Sequence, residues 1–176
     1  MRFVLIVAQT LDGRITRHDV AGTDWTSPAD KAWFRHCLRE FDSSVMGRVT
    51  YEVSKVFILQ NITGRRRRLI LTGSPAQFAA DHRENQLEFT AESPREIADR
   101  LSQAGCQNCA ILGGTRVHDE FLQAGLVDEI WTTLEPQLFG TGTPLLQTPH
   151  DIRLTLIDHH RLDDSDSLLL KYRVQR

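Results

Sequence analysis

Ala110-Ile111-Leu112-Gly113-Gly114-Thr115-Arg116 is an apolar run broken by two glycines, and a helical pattern follows at once. Paired glycines let the backbone turn sharply and admit a bulky group where a Cβ would block it. The helix behind them aims its first N–H groups, and the positive end of its dipole, into that gap. A phosphate is the natural guest. A tight strand-to-helix turn with nothing bound uses the same residues, so at this point both readings stand. Gly47-Arg48-Val49-Thr50 repeats the arrangement and adds a guanidinium and a hydroxyl, and Thr72-Gly73 ends a third apolar run. Two glycine-led helix starts with threonine and arginine suit a dinucleotide with a pyrophosphate and a further phosphate. No G-x-G-x-x-G is present, which argues against a dehydrogenase with the Rossmann fingerprint.

Asp30 carries a second kind of chemistry. It stands three residues after Ser27, where an acidic side chain completes a capping box, and that role needs no substrate. A carboxylate beside a bound heterocycle can instead accept ring N–H bonds and assist protonation next to a hydride acceptor. Asp12, in Thr10-Leu11-Asp12-Gly13, is divided in the same way between a plain turn and a loop that closes over a site. Cys106-Gln107-Asn108-Cys109 has no second pair and no histidine at finger spacing, so the thiols are read as incidental and no metal is expected. Arg65 to Arg68 lack neighbouring aromatics for base stacking and read as a solvated loop; one or two of them near a bound phosphate is the alternative.

These groups need elements to hold them. Phe3 to Ala8, Ser43 to Met46, Leu69 to Thr72, Leu87 to Thr90, Cys109 to Leu112 and Asp128 to Glu135 read as strands. Helices are expected after Ser27-Pro28, over Arg48 to Ser54, from the Ser93-Pro94-Arg95-Glu96 capping box to Gly105, and over Arg116 to Ala124. Arg153 to His160 and Ser167 to Val174 alternate around a polar turn and read as an antiparallel hairpin. Strand–helix alternation then implies a mainly parallel sheet with right-handed crossovers, and ligands collect beyond the carboxyl ends of such strands. The 176 residues suit one domain, and a formal net charge of −2 argues against a general nucleic-acid binder. The apolar start is strand-length, without a signal-peptide layout or membrane span, so a cytoplasmic protein is expected.

Pro28-Ala29-Asp30-Lys31-Ala32-Trp33-Phe34, Met46-Gly47-Arg48-Val49-Thr50-Tyr51-Glu52 and Gly113-Gly114-Thr115-Arg116-Val117 resemble the ordered motifs of bacterial dihydrofolate reductase. Thr10-Leu11-Asp12-Gly13, Ala124-Gly125-Leu126-Val127-Asp128-Glu129-Ile130 and Leu138-Phe139-Gly140-Thr141-Gly142 are closer to a relative. That relative is the C-terminal reductase domain of the riboflavin-biosynthesis (RibD) deaminase–reductase. The resemblance spans nearly the whole chain and implies an α/β, dihydrofolate reductase-like three-layer sandwich over residues 1–176, with a mainly parallel central sheet and an antiparallel C-terminal hairpin. It implies NADPH as cofactor, with the pyrophosphate on Gly47, Thr50, Gly113, Gly114 and Thr115. Arg48 would approach the adenosine phosphate, with Thr72, Gly73 and Arg116 nearby, and backbone at Ala8 and Ile15 would meet the nicotinamide. Substrate positions fall on Trp25, Asp30, Phe34 and Thr132, with Asp30 and Asp12 as catalytic candidates.

The implied reaction is hydride transfer to a C=N bond of a pterin or a ribosylaminopyrimidine, in a homodimer built through late strands. The alternatives are a dihydrofolate reductase and a nucleotide-binding protein without turnover. No H-x-E with P-C-x-x-C zinc-deaminase signature occurs here, and Val53 to Asn61 stands where the riboflavin reductase has an Asp-x-Pro stretch.

Overall fold

In the computed structural model, which describes residues 1–62 and 66–175, the alternating apolar pattern folds as α/β layers. Strands β1 (Arg2–Thr10), β2 (Ser43–Gly47), β3 (Arg67–Leu71), β4 (Leu87–Thr90), β5 (Asn108–Ile111), β6 (Glu129–Glu135), β7 (Leu154–Arg161) and β8 (Leu168–Val174) alternate with helices α1 (Pro28–Cys37), α2 (Arg48–Gln60), α3 (Pro94–Gln103) and α4 (Thr115–Gln123). Among the described residues these strands form one sheet in the order β4-β3-β2-β5-β1-β6-β8-β7. Pairing is parallel from β4 to β6 and antiparallel at β6–β8 and β8–β7. The mainly parallel sheet with an antiparallel C-terminal hairpin expected from the sequence is the one adopted.

The layers follow from the two-residue period of a strand. Phe3 and Leu5 of β1 face one side, where Ile97 and Leu101 of α3 and Val117 and Phe121 of α4 close the core. Val4 and Ile6 face the other side, under Cys37 of α1, with Phe41 and Trp131. Met46 and Ile70 continue that second face beneath Tyr51 and Ile58 of α2. α2 therefore follows β2 on one face while α4 follows β5 on the opposite face, and β2 and β5 are neighbours. A crevice must open where the two chains part.

Element boundaries moved where tertiary contacts extended a local pattern. α2 continues to Gln60, beyond the expected Ser54, because Ile58 finds a buried place against the second face. β1 runs on to Thr10 because β6 keeps pairing with it as far as Thr10 opposite Glu135. β3 begins at Arg67, opposite Ser43, so the arginine run is partly strand and not a free loop. β7 forms the sheet edge and is exposed along its length, Leu154, Leu156 and Ile157 included. Among the described residues no helix is long and apolar enough to cross a membrane.

Two irregular segments are stitched across the carboxyl end of the sheet. Asp12 accepts from the N–H groups of Phe139 and Gly140, and the Ile15 N–H donates to Thr143 at 2.9 Å. Gly142 has φ +133, and a Cβ there would run into the Thr16 carbonyl, so only glycine permits this close approach. Farther along, Asp119 of α4 anchors the chain after Pro144. Its carboxylate accepts from His150 Nε2 and the Thr148 hydroxyl, each at 2.9 Å, and from the Gln147 N–H at 3.1 Å. Burial alone would push this carboxyl's pKa up, but the His150, Gln147 and Thr148 bonds outweigh it and hold it below the ordinary value. A lowered folded-state pKa contributes stability at neutral pH that is lost as pH falls through that value. Asp119→Asn is expected to cost about 2 kcal/mol at neutral pH. Urea unfolding should show wild type and variant converging in acid, and a gap that persists there would exclude the ionic origin.

Candidate functional site

Four helix starts divide into two chemical kinds. α1 and α3 are closed by serine side chains, Ser27 accepting from the Asp30 N–H and Ser93 from the Glu96 N–H. α2 and α4 begin at Gly47 and Gly114, with no side-chain cap and no acidic residue in the first turn. Their leading N–H groups therefore keep their positive potential for something else. The two open ends meet: the Gly47 N–H donates to the Gly113 carbonyl at 2.7 Å. The Gly113–Gly114 peptide is cis, and Gly113 has φ +99.

The crevice is a continuous cleft of about 1650 Å³. Its walls at the carboxyl ends of β2 and β5 include Gly47, Arg48, Thr50, Gly113, Gly114, Thr115 and Arg116, and Ala8, Ile15, Thr72 and Gly73 also line it. Every residue that the motifs implied for a cofactor thus borders one space. Crowding by the protein itself fixes glycine at both turns. A Cβ on Gly113 would stand 3.0 Å from His118 Nε2, and one on Gly47 would stand 3.3 Å from Val117. His118 is buried, and that burial pulls its pKa down to about 4, leaving a neutral ring under the glycine turn. Arg48 lies at the rim and holds Glu52 through both carboxylate oxygens at 2.8 and 2.7 Å, while Arg116 pairs with Glu120 at 2.7 Å.

Asp30 and Phe34 of α1 line the same cleft, with Trp33 and Leu38, opposite Val53 and Phe57 of α2. Asp30 is only 6% exposed. Its carboxyl is not the cap that local sequence offers: the Ser27 N–H donates instead to Glu135 Oε1 at 2.9 Å. Burial pushes the Asp30 pKa up, and the nearby charge of Glu135 adds to this; Thr133, Thr26 and Lys31 oppose it. The Thr26 and Thr133 hydroxyls lie close enough to favour the ionised form, yet neither makes a hydrogen bond of standard geometry among the described residues.

Three expected substrate or catalytic positions lie elsewhere. Thr132 points to the other side of β6 and accepts from Gln9 Nε2 at 3.1 Å, whereas its neighbour Thr133 is the residue near Asp30. A two-residue period makes a one-position slip a change of face. Trp131 marks the proper side by packing against Trp33 of α1, with ring centroids 6.4 Å apart. Trp25 does not border the cleft; it packs edge-on against Phe139 and donates to the Gly22 carbonyl. Asp12 is also outside, and its carboxylate is fully engaged. The Thr10 hydroxyl, then Gly140 and Phe139, hold its pKa down to about 2, which is wrong for a group that must carry a proton.

The arginine run, read as a solvated loop with a place near a bound phosphate as the alternative, brings two of its members to the cleft. Arg66 and Arg68 line the cleft, Arg67 approaches Glu88 at 4.0 Å, and Arg65 lies outside the described residues. Arg68 is 4% exposed and donates to the carbonyls of Arg66 and Asn61, while Arg66 donates to that of Leu38. Neither is paired with a carboxylate among the described residues, and burial pushes Arg68 down to about 10. Arg68 buried and Arg66 half-buried, each with only carbonyl partners among the described residues, make this end of the cleft receptive to an anion. The available signal was the apolar Leu69-Ile70-Leu71 run, whose strand pairing draws the preceding arginines inward. The cysteines stay inert: Cys106 and Cys109 are free and buried, and burial pushes the Cys109 thiol up to about 12.

A raised pKa at Asp30 means that ionisation opposes folding as pH rises above the ordinary aspartate value. Asp30→Asn should therefore raise the melting temperature by a few degrees at neutral pH, with the gain shrinking in acid. Thermal unfolding across pH tests this, and a lower melting temperature at neutral pH would contradict it.

The model of the RibD C-terminal domain family matches residues 3–168 of this chain. A Bacillus subtilis protein, the uncharacterized YwjB, is 30% identical over 149 residues, covering 81% of this chain and 80% of its own length. Among solved structures, RibD of Acinetobacter baumannii superposes with a TM-score of 0.78 at 20% identity, covering 99% of this chain and 58% of that one. Dihydrofolate reductase of Enterococcus faecalis, complexed with NADP(H), superposes with a TM-score of 0.67 at 19% identity, covering 99% and 97%. At those identities the solved structures speak for the fold.

Proposed function

The chain belongs to the RibD C-terminal domain family, and from that membership and its cleft we propose that it is a NADPH-dependent reductase of a nitrogen heterocycle. The reaction is of the riboflavin-biosynthesis type, reducing a C=N bond of a ribosylaminopyrimidine or a pterin. The observation that carries the reading is the presence, in one cleft, of two open helix N-termini and a buried carboxyl that caps nothing.

The uncapped N–H groups in the first turns of α2 and α4, that of Thr115 among them, with the Thr50 hydroxyl, would hold the pyrophosphate, and Arg48 and Arg116 would take the remaining phosphate. NADPH supplies the hydride; the protein supplies position, charge and a proton. Asp30 lines the wall where a flat ring can lie between Phe34 and the apolar face of α2. Its raised pKa keeps a proton on hand for the nitrogen beside the reduced carbon, and in the ionised state it accepts ring N–H bonds. Arg66 and Arg68 suit an anionic group remote from that ring, such as the phosphate of a phosphoribosylaminopyrimidine or the glutamate carboxylates of dihydrofolate.

The direct test is NADPH oxidation measured in parallel with the ribosylaminopyrimidine and with dihydrofolate; oxidation with neither, despite cofactor binding, would favour a binding protein without turnover. Arg48→Ala should weaken NADPH about tenfold or more while changing NADH little, since one charge-assisted phosphate contact is lost. Equal losses for both cofactors, measured by fluorescence titration, would remove Arg48 from the phosphate. In Asp30→Asn, cofactor affinity should persist while turnover falls by about two orders of magnitude or more. Turnover that survives would leave Asp30 without a chemical role.

A further inference from the structure

The protein contains its own comparison for the start of α1. At α3, Ser93 accepts from the Glu96 N–H while the Glu96 carboxylate returns to the Ser93 N–H at 2.8 Å, a complete capping box. At α1 the first half is present: Ser27 accepts from the Asp30 N–H at 3.1 Å. The return bond is taken by a residue from another element. Glu135, at the end of β6, places Oε1 2.9 Å from the Ser27 nitrogen. Its Oε2 accepts from the Ser167 hydroxyl at 2.7 Å, just ahead of β8.

Glu135 is 1% exposed and Ser167 is 1% exposed, and no salt bridge reaches this carboxylate among the described residues. A buried carboxylate with two hydrogen-bond donors and no cation is costly, and helix capping alone does not call for it, because Asp30 could cap in its place. We propose that Glu135 is a positioning residue for Asp30: it takes the N–H that Asp30 would otherwise bind, leaves the Asp30 carboxyl facing the cleft, and places a fixed negative charge behind it. The inference deepens the reading of Asp30 as the proton-handling group and rests on it.

The surroundings of Asp30 agree. From α1 the charged or titratable neighbours are Lys31 and the buried thiol Cys37; from β6 it is Glu135, with the neutral hydroxyls of Thr133 and Thr26 beside them. Lys31 favours an ionised Asp30, but its Nζ is directed to the Asp24 carbonyl at 3.0 Å in an exposed position. Glu135 is the buried charge, and a buried charge is screened least. A carboxylate so placed opposes the ionisation of Asp30, the carboxyl that lines the cleft.

The test is a titration of the Asp30 carboxyl by carbon-13 NMR, assigned with Asp30→Asn, in wild type and in Glu135→Gln. Glutamine can still accept from the Ser27 N–H but carries no charge. Its expected effect is a drop of about tenfold in the proton affinity of Asp30, one unit in its midpoint. An unmoved midpoint in a folded Glu135→Gln protein overturns the proposal, even if melting falls. Should that variant not fold, the Ser27 amide proton gives the second measurement, compared across pH in wild type and Asp30→Asn. A resonance that ignores the Asp30 substitution supports Glu135 as the acceptor; one whose pH dependence vanishes with Asp30 refutes it. If the midpoint moves as expected while Asp30→Asn retains turnover, the link between the two carboxyls stands and the proposed role of Asp30 falls.

Discussion

The hydrogen bond from the Gly47 N–H to the Gly113 carbonyl joins the two strands on which the rest of the cleft depends. It prolongs the β2–β5 pairing by one step, at the point where the chain leaves β2 for one face and β5 for the other. Two helix N-termini are thereby delivered to one place from opposite layers. Each lacks a side-chain cap, so neither is neutralised from within its own element. The glycines are required by crowding: His118 stands under one and Val117 beside the other. An anion-receptive mouth follows from connectivity together with the absence of side chains, without any dedicated cationic residue at its centre.

The opposite wall is arranged by a different economy. α1 begins with a serine cap, a proline and an acidic residue, all that a self-sufficient helix start needs. Glu135 supplies the acceptor from β6, and Asp30 is left buried, off its ordinary pKa and open to the cleft. The protein carries a carboxyl whose ionisation burial sets against folding, and a second buried carboxylate nearby adds to that effect. Such local losses of stability are typical of places where chemistry is done. Away from the cleft the same types of group are satisfied in the usual way, as the Ser93–Glu96 box and the Asp119–His150 pair show.

Between these walls, α2 runs unbroken to Gln60 and presents Val53 and Phe57 to the cleft. Beyond them, half-buried Arg66 and buried Arg68 sit where β3 begins, without carboxylate partners among the described residues. The cleft thus grades from an anion-receptive mouth through an apolar waist to a cationic end.

Much of the architecture was legible in the sequence because its determinants are local. Ser27-Pro28 and Ser93-Pro94 announce helix starts, Gly113-Gly114 a sharp turn, and the strand and helix periods assign the layers. The glycine-led turns that line the cleft were legible for the same reason. What only the tertiary structure decided are relations between distant segments. Thr132 and Thr133 look alike in sequence, and pairing with β1 and β8 chooses which faces α1. Asp12 looks reactive until Phe139 and Gly140 arrive to occupy it, and four arginines look solvated until β3 draws Arg66 and Arg68 inward. Whether Asp30 caps a helix or faces a ligand depends on Glu135, 105 residues away, because a backbone N–H has one hydrogen to give and the nearer carboxylate does not receive it.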